Sequence, residues 1–309
     1  MKRTVSFPRY GEYTGLLAET LEKIGANVLT PPPVTKRTIE LGTKYSPADV
    51  CYPFKVSLGT MIEAIEQGAD TIVMVNSAGW CILRCFPVVQ ERIIKDLGYA
   101  FRMIELNIRN PFKLCSGFKQ ITPGASTLRI VRALAELFRK AKALDNAERA
   151  VNKDADIRIG IAGEVHVCNE NAINMDIVRK LQDMGAYVDR WLCLSNNFIL
   201  LGKEFFRVKD LRSQRKAAWK YFPERTGGHA NENLVRILKY AEEGYDGVVM
   251  LKPYACNPET IIEPAVEKIS RDYNIPVLSL TIDESTLETH FQTRIESFVD
   301  MLRMRKGKD

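Results

Sequence analysis

Most of the features that settle a function at once are missing from this sequence. No apolar stretch approaches the ~20 residues a bilayer-crossing helix needs. The opening Met-Lys-Arg-Thr-Val-Ser-Phe-Pro has none of the apolar run of a secretory leader. The expectation is therefore a cytoplasmic protein with no membrane attachment. Gly-x-Gly-x-x-Gly and Walker-type phosphate loops are both missing, which disfavours direct nucleotide binding. No Cys-x-x-Cys pair occurs, and of the three histidines His166 and His290 fall into no pattern. Charge of one sign is also scarce. A net +6 over 309 residues is mild, and the basic residues are scattered among acidic ones rather than gathered into a stripe, so nucleic-acid binding gains no support.

What is present describes an ordinary globular chain. Hydrophobic residues make up 46% and charged residues 27%, which excludes disordered and fibrous classes. The length allows two domains with a large core. Seven cysteines, Cys51, Cys81, Cys85, Cys115, Cys168, Cys193 and Cys256, spread over the whole chain. An odd count in a reducing compartment argues against a disulfide framework and leaves packing, metal ligation or redox chemistry.

Short β-rich runs alternate with amphipathic stretches, the pattern of an α/β protein with parallel, doubly wound, Rossmann-like sheets. Strands are expected at Thr4–Phe7, Asn27–Thr30, Asp70–Val75, Phe101–Leu106, Ile157–Ala162, Gly247–Leu251 and Val277–Ile282. Helices are expected over Thr14–Ile24, from Pro53 to a stop at Gly68, and over Val88–Leu97, Ser126–Ala150, Asn171–Met184, Leu234–Glu243, Glu259–Arg271 and Thr289–Met301. Between residues 192 and 228 the pattern supports only a helix near Lys209–Tyr221. The polar stretch Asn152–Asp156 marks a domain boundary, giving an N-terminal subdomain, 1–150, and a C-terminal one, 151–309.

The halves echo one another. Gly68-Ala-Asp70 leads through a buried strand and a small-residue loop to Cys81, and Gly244-Tyr-Asp246 does the same to Cys256, with 11 positions from Asp to Cys in one half and 10 in the other. In open α/β sheets ligands bind beyond the carboxyl ends of strands, where Cys81 and Cys256 both fall. Cys51 precedes Pro53 and so marks a helix N-terminus, a position that stabilises thiolate. On spacing alone these three cysteines serve packing as well as ligation.

The text around them resembles a known family. Phe7-Pro-Arg-Tyr, Pro31-Pro-Pro-Val-Thr-Lys-Arg-Thr, Tyr45-Ser-Pro-Ala-Asp-Val-Cys51-Tyr-Pro-Phe-Lys, Gly79-Trp-Cys81, Gly163-Glu164, Gly227-Gly-His229 and Met250-Leu-Lys-Pro-Tyr-Ala-Cys256-Asn-Pro-Glu resemble the 2-hydroxyacyl-CoA dehydratase, benzoyl-CoA reductase and double-cubane cluster proteins, in the branch related to acyl-CoA dehydratase activases. The resemblance implies two Rossmann-like subdomains with a metal cluster between them, and Cys51, Cys81 and Cys256 as the ligands of a [4Fe-4S] cluster or of a double-cubane [8Fe-9S] cluster. It implies a homo- or heterodimer, a possible acyl-CoA substrate and a partner, an ATP-dependent iron–sulfur activase of the actin-like ATPase fold. Low-potential one-electron chemistry then makes the chain a dehydratase (lyase) or reductase component. The alternatives are a non-catalytic electron carrier or cluster scaffold, and a double-cubane reductase of small molecules. The family pattern carries an arginine directly after the second cysteine, whereas Ile82-Leu83-Arg84-Cys85 follows here, so Cys85 stands as the alternative to Cys81.

Other residues carry two readings. Glu164, after a strand end, is a candidate acid or base and equally a helix cap. His229, after Gly227-Gly228, is a candidate donor to substrate or cluster, or a helix-entry residue. Cys168 and Cys193 read as packing, and Cys115 as packing within a Pro/Gly-rich connection. Lys36 and Arg37 could meet a phosphate or a partner, or simply start a solvated helix. Arg303, Arg305, Lys306 and Lys308 read as a frayed basic end.

Overall fold

The computed structural model describes residues 3–76, 81–206 and 215–307. The chain forms two compact units, Met1–Ala143 and Leu144–Asp309.

The first unit carries a four-stranded parallel sheet of β1 (Thr4–Ser6), β2 (Asn27–Val28), β3 (Thr71–Asn76) and β4 (Arg102–Asn107), in the order β2-β1-β3-β4. Its helices are α1 (Thr14–Ile24), α2 (Lys36–Tyr45), α3 (Tyr52–Glu66), α4 (Phe86–Asp96), α5 (Pro111–Ile121) and the start of α6 (Thr127–Ala150). Alternation along β3 supplies both faces of the sheet. Val73 joins Leu21, Phe118 and Ile130 from α1, α5 and α6. Ile72 and Met74 join Phe54, Leu58, Phe86 and Ile94 from α3 and α4. Helices α2 and α3 meet backbone to backbone, because a Cβ on Gly42 would lie 1.8 Å from the Lys55 carbonyl oxygen and one on Gly59 1.9 Å from that of Thr38.

The second unit repeats the topology. Strands β5 (Arg158–Gly163), β6 (Tyr187–Arg190), β7 (Gly247–Pro253) and β8 (Val277–Ile282) are parallel, in the order β6-β5-β7-β8. Around them lie α7 (Val165–Asn169), α8 (Asn171–Asn174), α9 (Ile177–Asp183), α10 (Leu194–Phe205), α11 (Ala230–Glu242), α12 (Asn257–Asp272) and α13 (Glu288–Lys306). One face packs Ala162, Val248 and Met250 against Leu234, Ile237 and Leu238 of α11 and Ile262, Val266 and Ile269 of α12. The end of α6 is bound to β6 by charge. Arg149 reaches Asp189 at 2.7 Å, Arg236 reaches the same carboxylate at 2.5 Å, and Arg190 grips Glu148 at 2.6 and 3.1 Å.

Several expectations need correction. The stretch around Cys115 is the helix α5 rather than an irregular connection, started by Asn110, whose side chain accepts from the N–H groups of Phe112 and Lys113. The expected helix Asn171–Met184 is two helices, interrupted where Met175 and Asp176 both take positive φ. Helices α2 and α10 and strand β6 were not expected. The helix expected near Lys209–Tyr221 is helical over 215–219, and 207–214 lie outside the described residues. The basic end is not frayed through Lys306: Arg305 bonds to Asn274 and Lys306 pairs with Asp246 at 3.2 Å.

Candidate functional site

In each sheet the strand order reverses beside the first strand, between β1 and β3 and between β5 and β7, and the carboxyl ends there are the natural ligand edge. Two kinds of chain end reach that edge: residues leaving a central strand, and the N-terminal caps of helices that run back against the sheet into the next strand. All the predicted site residues are of these two kinds. Cys256 leaves β7 and caps α12. Glu164 leaves β5 and caps α7, accepting from the N–H groups of His166 and Val167 at 2.9 Å each. Cys81 follows β3 beyond residues 77–80, which lie outside the described residues, and caps a 3₁₀ turn. Cys51 caps α3, which leads into β3, and His229 caps α11, which leads into β7.

The units are related position by position. The turn after α3 closes at Gly68 and the turn after α11 at Gly244, both with positive φ. The N–H of Asp70 donates to Thr4 at 3.0 Å, and that of Asp246 to Arg158 at 2.9 Å. His229 thus stands in its unit where Cys51 stands in the other. Backbone conformation at Cys51, Cys81 and Cys256 is extended, so the side chains lie outside the helical register and the first-turn N–H groups lie just beyond them. Three helices open with Cys-x-Pro, at Cys51-Tyr-Pro53, Cys85-Phe-Pro87 and Cys256-Asn-Pro258. The proline at an early helical position is pre-shaped for a helix start, which leaves the cysteine as the cap. This repeated signal was available in the sequence and went unread. It also gives Cys85 a claim beside Cys81, although Cys85 is exposed and helical in backbone while Cys81 is half-buried and extended.

Cys51 is buried in the apolar cluster of Phe54, Leu58 and Phe86, and Ile82 and Leu83, the residues after Cys81, pack against that same cluster. The two N-terminal cysteine segments are therefore neighbours. In the second unit Asn233 gathers the site segments. Its Nδ2 donates to the Gly163 carbonyl at 2.8 Å and to Glu259 Oε1 at 2.9 Å, while its Oδ1 accepts from the Gly163 N–H at 3.2 Å. One buried amide thus ties the first turn of α11 to the corner before Glu164 and to the first turn of α12. Gly163 suits that corner because its φ is +139° and a Cβ would lie 1.9 Å from the Leu251 carbonyl oxygen. Glu259 is 1% exposed. Burial pushes its carboxyl up to about 8, with Glu164 and Glu232 adding to the rise and the Asn233 hydrogen bond and Lys252 opposing it.

Cys168 and Cys193 are buried, and burial raises both thiols, as fits packing residues. Arg37 is held by Glu63 at 3.2 Å and Glu66 at 2.7 Å, and Lys36 faces Glu40. A cavity of about 170 Å³ lined by Trp191, Lys203, Arg215, Arg236 and Lys239 has none of Cys51, Cys81, Cys85 and Cys256 in its lining. It falls below the ~300–1,000 Å³ of ordinary small-molecule pockets. Among the described residues no three His, Cys, Asp or Glu side chains are grouped to hold a single metal ion, and no helix is long and apolar enough to cross a membrane.

Comparison with known families fits this arrangement. The family model described as 2-hydroxyglutaryl-CoA dehydratase, D-component, matches residues 110–302, well over half of the chain. The chain belongs to this family. A second model, described as a CoA enzyme activase uncharacterised domain, matches residues 6–74. The dehydratase match takes in Glu164, His229 and Cys256, the activase-related match takes in Cys51, and Cys81 falls between the two. No curated protein matches the chain.

Proposed function

We propose that this member of the dehydratase family is an iron–sulfur component acting on an acyl-CoA or similar substrate after reduction by an ATP-dependent iron–sulfur activase. The observation that carries the proposal is the placing of Cys51, Cys81 and Cys256, each at a helix cap on the carboxyl edge of a parallel sheet. The donor set fits the group. Thiolates are the ligands that [4Fe-4S] and [8Fe-9S] clusters take, and the N-terminal ends of helices favour the anionic form. Zinc suits three widely separated cysteines poorly.

When bound, such a cluster supplies one electron at low potential. The chain's own residues hold and shape the site. Cys51, Cys81 and Cys256 bind, with Cys85 the alternative to Cys81. The helix N-termini at Cys51 and Cys256 would offer N–H groups to the sulfur atoms of a bound cluster, which tunes potential. Glu164, already oriented by two N–H donors, is the candidate carboxylate for moving a proton, and His229, on the matching cap, is the second such group. Activase-related sequence over residues 6–74 supports a working relation with an activase. On the same reading the acyl-CoA site lies in a homo- or heterodimer, completed by a partner chain.

The test is iron, acid-labile sulfide and EPR on full-length protein purified without oxygen, alongside Cys51→Ser, Cys81→Ser, Cys85→Ser and Cys256→Ser. About four iron per chain with equal sulfide supports a single cubane and about eight a double one. Loss of most iron is expected in the Cys51 and Cys256 variants and in one of the Cys81 and Cys85 pair. Full iron in Cys256→Ser would overturn the assignment. Binding of an acyl-CoA by calorimetry separates a catalytic component from an electron carrier.

A further inference from the structure

Two buried carboxamides interrupt otherwise apolar helix faces. Gln90 of α4 is fully buried, and its Nε2 donates to the Phe54 carbonyl at 3.1 Å and to Ser57 Oγ at 2.7 Å, both near the start of α3. Asn233 of α11 is fully buried and bonds to Gly163 and to Glu259 on the first turn of α12. Each amide therefore joins two helices whose caps carry the donors: α3 and α4, capped by Cys51 and Cys85, and α11 and α12, capped by His229 and Cys256. By topology α3 corresponds to α11 and α4 to α12, so the same helix pair is tied in both units, once from each side.

Among the described residues both ties keep an oxygen buried without a partner, Oε1 of Gln90 and Oε2 of Glu259. An unsatisfied buried polar atom costs stability, and at Gln90 an apolar side chain of similar volume would pack the helix face without that cost. What the amides add is direction. A hydrogen bond fixes the azimuth and the height of a helix terminus, which a methyl contact leaves loose.

We propose that Gln90 and Asn233 are positioning residues, each fixing one cysteine-capped helix start, α3 with Cys51 and α12 with Cys256, at the carboxyl edge of its own sheet. The role assigned to those cysteines rests on the iron–sulfur reading above, whereas the clamp itself does not. Glu259 takes part as the acceptor for Asn233, and its carboxyl, driven towards the neutral form by burial, meets the amide without an uncompensated charge.

The experiment is a crossed measurement of alkylation rates at individual cysteines, by iodoacetamide and mass spectrometry, on native full-length metal-free protein. In Gln90→Leu, Cys51 is expected to react about tenfold faster and Cys256 at the wild-type rate. In Asn233→Ala, Cys256 accelerates by a similar factor and Cys51 does not. Buried Cys193 reports global loosening in both. Glu259→Leu removes the acceptor and should reproduce the Asn233→Ala result, while Glu259→Gln keeps Oε1 and should not, which covers a poorly folding Asn233 variant. In protein reconstituted without oxygen, the positioning role predicts a changed EPR line shape at unchanged iron content. Unaltered rates at the paired cysteine, or equal acceleration at Cys51, Cys193 and Cys256, would overturn the proposal. Wild-type protein that takes up no iron would sink the iron–sulfur reading, and the alkylation rates would still decide the clamp.

Discussion

Replacing Glu259 by glutamine isolates the cost of keeping a carboxyl at the heart of the second unit. The group is buried, its Oε1 accepts from Asn233 and its Oε2 has no partner among the described residues. Burial is the main cause that lifts it from 4.5 to about 8, reinforced by Glu164 and Glu232 and opposed by Asn233 and Lys252. In the unfolded chain the carboxyl ionises near 4.5, while in the folded protein it keeps its proton to about 8. Over that window the folded state binds the extra proton, so stability is full below the lower value and falls as pH rises through the upper one. At about 1.4 kcal/mol per pH decade the loss has an upper bound of about 5 kcal/mol. With ~2–4 °C of melting temperature per kcal/mol in a domain of this size, the wild-type protein should melt at least several degrees lower at pH 8.5 than at pH 5 from this group alone. Glu259→Gln keeps the acceptor and cannot ionise, so its melting temperature should lose that slope and exceed the wild type's above pH 8. Calorimetric melts of both proteins across pH 5–9 give the answer. Parallel profiles would refute the reasoning, because they would mean that the carboxyl is solvated or charged in the folded protein.

Three further outcomes follow from the packing. Gly59→Ala places a methyl group 1.9 Å from the Thr38 carbonyl oxygen and forces α2 from α3; a loss of about 3 kcal/mol by denaturant unfolding is expected, near the top of the overpacking range, and a change under 0.5 kcal/mol would mean the helices slide freely. Asp189→Asn strips the shared carboxylate from Arg149 and Arg236 and should cost ~3–5 kcal/mol. Burial pushes that carboxyl up but the two arginines outweigh it and hold it below its usual range, so its contribution is present above the ordinary carboxylate range and lost on acidification, and the variant should show a flatter acid limb in melts between pH 5 and 2. Glu164→Ala removes the acceptor for the His166 and Val167 N–H groups. The capping loss is about 1 kcal/mol, and Glu164→Asn keeps a cap without an ionisable carboxyl, so a fall in turnover that the Asn variant shares with the Ala variant points to proton transfer, and a fall confined to the Ala variant points to capping.

Where sequence and structure agree, the signals are local. Thr14–Ile24 ends at Gly25, whose φ of 104° closes the helix, and Val277–Ile282 is a β-rich run after a proline. Where they part, competing local signals misled. Pro111 and Gly117 read as a connection, yet proline at a helix start is favourable, and Gly117 is small because a Cβ there would meet Leu106 Cδ2 at 2.6 Å. The Cys-x-Pro repeat was legible and unused. So were the two clamps. On α11 the buried face runs Ala230, Asn233, Leu234, Ile237, Leu238, and on α4 it runs Phe86, Pro87, Gln90, Ile94. A carboxamide on an apolar stripe at helical spacing is a marked exception to the pattern. What no local reading supplies is the partner of each amide, since Asn233 meets Gly163 across 70 residues and Gln90 meets Phe54 across 36.

The duplication gives those distances their meaning. A parallel sheet sends every strand exit and every returning helix start to one edge, so a site assembled there needs no special loop, only the right residue at a few caps. The first unit places thiols at both kinds of cap, Cys51 and Cys81 or Cys85, whereas the second places His229 and Cys256. On the iron–sulfur reading proposed above, equal scaffolds with unequal donors would give three sulfur ligands and, at the position matching Cys51, a group able to carry a proton. Electron supply and proton supply would then fall to matching positions of one repeated fold, with a buried amide beside them in each copy. Exchanging the donors, with Cys51→His and His229→Cys in one chain, asks whether the scaffold or the order of residues matters. Iron retained with altered EPR would assign the site to the scaffold, and iron lost would assign it to Cys51 in its own apolar cluster.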